Sequence, residues 1–214
     1  MTTIDSDARA DRRLELLATV LLTLAAVATA WSTYQAAYWH GKQAEAQSAS
    51  IAARVESTKA SDVANREAEI DVSLFTQWVD AYARRETKLA AFYERRFRDE
   101  FEPAFTAWVA TKPRENPSAP LSPFAMPEYK LAALADADRF EAQATAASID
   151  VKRYIERADD YMLAVVLFAA ALFFAGISSK LHARRLRIAV LCVGYAMFVG
   201  TVIWVATFPI SVST

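Results

Sequence analysis

The chain has 214 residues, a formal net charge of −1, 54% hydrophobic residues and a single cysteine. One cysteine excludes a disulfide-stapled fold. The mean hydropathy is only +0.11 because a long polar middle dilutes three apolar spans.

An N-terminal tail, 1–13, carries Arg9, Arg12 and Arg13 and leads into the first span, Leu14–Tyr34. A helix needs about 20 mainly apolar residues to cross the hydrocarbon core. This span meets that length, with a charge-free middle where an ionised residue costs about 2.5–3.5 kcal/mol. A cleaved signal peptide is the rival reading, since Ala28-Thr29-Ala30 has the small-x-small form. The run is longer than a signal core and ends in Trp31, Tyr34, Tyr38 and Trp39, so an uncleaved anchor is expected.

Residues 35–160 read as helix. From Lys42 to Glu102 there is no glycine or proline, and good helix formers dominate. Prolines at 113, 117, 120, 123 and 127 mark a crossover, 112–127, before glycine and proline vanish again up to Asp160. The pattern predicts a long antiparallel hairpin: one helix over Lys42–Glu102, a short helix at Ala104–Thr111, an extended Lys112–Pro127, and a return helix. A fold-back near Asp71 or Arg84–Thr87 into a four-helix bundle is the alternative, disfavoured because neither bend holds glycine or proline. The return helix carries an a/d seam of Ala133, Ala137, Phe140, Ala144, Ala147, Val151, Tyr154, Ala158 and Tyr161. Opposite it, Ala37, Gly41, Ala44, Ser48, Ile51 and Val55 are expected to continue the seam from the first span. Further out Ile70, Leu74, Trp78, Tyr82, Leu89, Tyr93 and Phe97 form a bulkier stripe, read as an intramolecular core.

The second span, 161–179, is bounded by Asp160 and by Lys180, which can snorkel outward. A basic turn, 180–187, holds Lys180, Arg184, Arg185 and Arg187, and the third span runs over 188–208. Cations mark cytoplasmic flanks, so the tail and this turn are expected inside, and residues 35–160 and the tail 209–214 outside. The two assignments agree in parity. Tyr161, Trp204 and Phe208 place further aromatic rings at the outer boundary.

Chemistry is thin. His40 and His182 fall on opposite sides of the membrane, and no glycine-rich phosphate loop or nucleophile elbow is present. Acidic pairs such as Glu67/Glu69 and Asp136/Asp138 read as solvated faces. No catalytic, cofactor-binding or metal-ligating residue is assigned, and no cofactor or nucleic-acid partner is expected. Phe97, Phe101, Phe105 and Trp108 beside Arg95, Arg96 and Arg98 are read as packing at the hairpin tip rather than as a docking patch. Pro117, Pro120 and Pro123 recur every third residue, which suits a stiff polyproline II spacer. Small residues at Ala171/Ala175 and Ala196/Gly200 fit helix–helix contact within the membrane.

Four motifs carry a resemblance across nearly the full length: Trp31-x-x-Tyr34-Gln35, Ala53-Arg54-Val55-Glu56-Ser57-Thr58, Ser122-Pro123-Phe124-x-Met126-Pro127-Glu128-Tyr129 and Ala206-Thr207-Phe208-Pro209. The chain resembles a family of uncharacterised bacterial three-span integral membrane proteins. That resemblance implies the inner membrane of a bacterium and no known activity. The expected protein is therefore all-α and non-enzymatic, a structural or scaffold subunit of an envelope complex. A regulatory subunit acting through a partner membrane protein is the alternative. Expected partners are membrane lipids and either a second copy of the chain or another membrane protein.

Overall fold

A computed structural model describes residues 2–181 and 183–208, with side chains from Arg12 onward. The tail 209–214, His182 and the side chain of Arg9 lie outside the described residues. The elements are α1 (Thr2–Ala83), α2 (Thr87–Glu94), α3 (Glu102–Ala110), a 3-10 turn (Pro123–Ala125), α4 (Ala132–Ser178) and α5 (Arg184–Val205). No strand occurs among the described residues. α1, α4 and α5 each contain a stretch long and apolar enough to cross a membrane. Two compact units result: Ser48–Ala147, and Met1–Gln47 with Ser148–Thr214.

The Ser48–Ala147 unit departs from a single outgoing helix over Lys42–Glu102. α1 passes Asp71 without a bend and stops at Ala83. Arg85 adopts φ 65°, its N–H bonds the Tyr82 carbonyl at 3.1 Å, and the Glu86 N–H bonds the Ala81 carbonyl at 2.9 Å. These two bonds close a Schellman motif, which satisfies carbonyls that the helix end would otherwise orphan. The break falls at the Arg84–Thr87 bend held above as the alternative and disfavoured there because glycine, which usually takes the left-handed position, is absent.

The crossover is also not an extended spacer. Residues 112–127 form turns, Pro123 is buried, and the Pro120 carbonyl accepts the Trp108 indole N–H at 2.7 Å. The segment therefore closes over an aromatic core of Trp78, Phe97, Phe101, Phe105 and Trp108, with Phe75, Phe124 and Tyr129 packed against it. The packing reading of the phenylalanine row is the one the structure carries. Of the bulky outer stripe, Trp78 and Phe97 are buried and Leu74 and Tyr93 half-buried, while Ile70, Tyr82 and Leu89 are exposed.

Within this unit α1 and α4 run in opposite directions. The Ser50 hydroxyl donates to the Ala144 carbonyl at 3.1 Å. Seven residues on along α1 and seven back along α4, Ser57 donates to Ala137 at 3.0 Å. The α4 seam is as expected: Ala133, Ala137, Phe140, Ala144 and Ala147 are all buried or half-buried. The facing seam is not. Ala37, Gly41, Ala44, Ser48, Ile51 and Val55 are exposed, and α1 instead turns Ser50, Ala53, Ser57, Ala60 and Ala64 inward.

In the other unit Ala18 and Leu21 of α1 pack with Ala175 of α4 and Leu191 of α5, and Leu14 lies against them. Ala36 and Trp39 of α1 pack with Ala158 and Tyr161 of α4, joined by Val205 and Phe208. α1 and α5 therefore run in parallel there and α4 runs against both. Gly194 is the close-approach glycine: a Cβ there would stand 3.2 Å from Leu21 Cδ2 and 3.3 Å from Phe174 Cβ. Ala171 and Ala175 are fully buried as expected, but Ala196 and Gly200 are exposed. The hydroxyls of Thr19, Thr23, Thr29 and Thr201 each donate to a carbonyl four residues back, which satisfies them within their own helices, whereas the buried Ser32 hydroxyl meets no hydrogen-bond partner.

Candidate functional site

Charge divides the span unit by its ends. Arg12 and Arg13 precede Leu14, which packs in the Leu191 cluster. Arg184, Arg185 and Arg187 occupy the first turn of α5, and Lys180 ends the turn after α4. All six cations therefore share one end. Glu15 stands just inside the first span's bound, exposed at that same end, so the span is free of charge only beyond it. The opposite end is aromatic: Trp39 stacks on Tyr154 at 5.7 Å, the Arg157 guanidinium lies 4.6 Å from the Trp39 ring, and Tyr161 meets Phe208 at 5.3 Å. His40 Nδ1 lies 3.1 Å from Gln43 Oε1, and Cys192 is exposed on an apolar helix.

The polar centre of the Ser48–Ala147 unit is Asp71, wholly buried on α1. One of its oxygens accepts from Arg98 at 3.0 Å and from the Tyr129 hydroxyl at 3.1 Å. Arg98 also pairs with Glu100 and lies 3.0 Å from Glu67, the latter without hydrogen-bond alignment. Glu100 reaches further and accepts the Ala132 N–H at 3.2 Å, capping α4. Burial drives the Asp71 carboxyl above its ordinary range, opposed by the charge and hydrogen bond of Arg98 and the hydrogen bond of Tyr129. Burial and the neighbouring Asp71 charge push the Tyr129 hydroxyl up as well. Such a network ties α1, the α2–α3 turn, the crossover and α4 together. Sequence reasoning read Glu67 as part of a solvated face and named Asp71 only as a possible bend; Arg98 drew notice only beside the phenylalanines.

Beside the aromatic core lies a groove of about 530 Å³ lined by Trp78, Val79, Tyr82, Trp108, Val109, Lys112 and Arg114. No group of three or more His, Cys, Asp or Glu side chains placed to hold a metal ion occurs among the described residues. No family model matches the chain, and no curated protein or solved structure matches it significantly.

Proposed function

We propose that the chain is a non-enzymatic, three-span protein of a bacterial inner membrane, of the family named above, serving as a scaffold subunit of an envelope complex. Its N-terminus and the basic turn after α4 face the cytoplasm, and residues 35–160 project outside as an antiparallel helical hairpin tethered at both ends. The observation that carries this reading is the trio of stretches in α1, α4 and α5 that are long and apolar enough to cross a membrane. The buried Asp71–Arg98–Tyr129 network supports the same reading, since its groups are consumed in bracing the Ser48–Ala147 unit from within. The six cations at one end supply the inward bias.

Purification of the full chain in mild detergent, with size and mass measured together, tests the scaffold role. Recovery as a homo-oligomer or with a stoichiometric membrane partner lacking a signalling output supports it. A partner carrying a cytoplasmic kinase domain would move the reading to a regulatory subunit, and an isolated monomer would contradict both.

A further inference from the structure

The groove beside the aromatic core is shaped by two helix ends. α1 contributes Trp78, Val79 and Tyr82, and α3 contributes Trp108 and Val109. Just past α3, Lys112 takes a left-handed φ of 52° and its N–H bonds the Val109 carbonyl at 3.0 Å, which turns the chain sharply at the rim.

Three further features point to a ligand. Val79, Tyr82 and Val109 leave 40%, 47% and 44% of their surface exposed and side by side. Trp78 is only 8% exposed, yet its indole N–H meets no acceptor, whereas the neighbouring Trp108 N–H is spent on Pro120. An unmatched buried donor costs about 1–3 kcal/mol, so the Trp78 N–H is left short of an acceptor beside the groove. Finally, Lys112 and Arg114 stand at the rim with no carboxylate in ion-pair range; the Arg114 guanidinium lies 5.6 Å from the Tyr82 ring. Glu115 is the one anion there, leaving the rim net positive.

We propose that this groove binds a small amphipathic carboxylate with a flat apolar body. The body lies against Tyr82, Val79 and Val109, and the carboxylate is held by Lys112 and Arg114. A volume of about 530 Å³ falls within the range of small-molecule sites.

Indole-3-acetate titrated into the full chain in detergent, followed through the indole N–H resonances of its five tryptophans, is the direct test. The expected result is a saturable shift at Trp78 and Trp108, with affinity weakened about tenfold or more in Arg114→Gln and in Lys112→Gln, as loss of a charge-assisted contact implies. Both positions are exposed, so these variants keep the fold. Tryptamine, with the same ring and the opposite charge, should give no saturable shift. Affinity in both variants equal to that of the native chain, equal binding of tryptamine, or shifts confined to Trp31, Trp39 and Trp204, the signature of partition into detergent, would overturn the proposal.

Discussion

The Ser50 hydroxyl donates a 3.1 Å hydrogen bond to the carbonyl of Ala144, which lies 94 positions along the chain and is itself wholly buried. A side chain as short as serine reaches a backbone oxygen across two helices only when their axes come close. Ser57 and Ala137 repeat the contact. The pairing of α1 with α4 therefore depends on small residues, and bulk is its weakness.

Ala144→Leu places a large side chain where no room exists, and overpacking of this kind costs about 1–3 kcal/mol. Gln143→Leu, one position away on an exposed face, should change stability by less than about 0.5 kcal/mol. Thermal unfolding of the full chain in one detergent compares the two. Equal losses would mean the helices pack through another face.

Asp71 makes stability depend on pH. Its carboxyl sits above the ordinary carboxylate range because it is buried, so protonation favours the folded chain. The resulting stability is fully present below the unfolded-state pKa and is lost as pH rises through the higher folded-state pKa. Asp71→Asn removes this dependence. Relative to the variant, the native chain should gain melting temperature as pH is lowered from neutral toward the ordinary carboxylate range. A difference that stays flat or reverses over that interval would show that the Asp71 charge is better matched by Arg98 than its burial implies.

Gly194 and Gly200 offer a matched pair within α5. A Cβ at Gly194 meets Leu21 and Phe174 below ordinary contact distance, while one at Gly200 meets nothing. Gly194→Ala should lower the melting temperature in detergent, because the Phe174 Cβ cannot swing away as the end of Leu21 can. Gly200→Ala should leave it unchanged or raise it, since alanine is the better helix former by about 1 kcal/mol. The reverse order would place α5 in a different rotation against α1 and α4.

The helical class and the three apolar stretches were legible because length and absence of charge are sufficient signals for them. The α4 seam was legible too, since every position in it is apolar. Its counterpart on α1 was not: Ser50, Ala53, Ser57, Ala60 and Ala64 are small and partly polar, so the eye goes to Ile51 and Val55, which the structure leaves 53% and 47% exposed. Packing there selects for size rather than hydropathy. The turn after Ala83 falls at the Arg84–Thr87 bend, which sequence reasoning disfavoured because Arg85 occupies a position where glycine is the usual marker. Asp71, Arg98 and Tyr129 could not be grouped in advance, since the crossover that joins them reads as a spacer until Pro120 and Pro123 are seen pinned to the core.

Accessibility in intact cells tests the central claim, a membrane protein whose Ser48–Ala147 unit lies outside and whose N-terminus lies inside. In a Cys192→Ala background, Ser118→Cys in the exposed crossover should react with a membrane-impermeant thiol reagent, and Ser6→Cys should react only after the cells are opened. Labelling of Ser6→Cys in intact cells together with protection of Ser118→Cys would contradict the account.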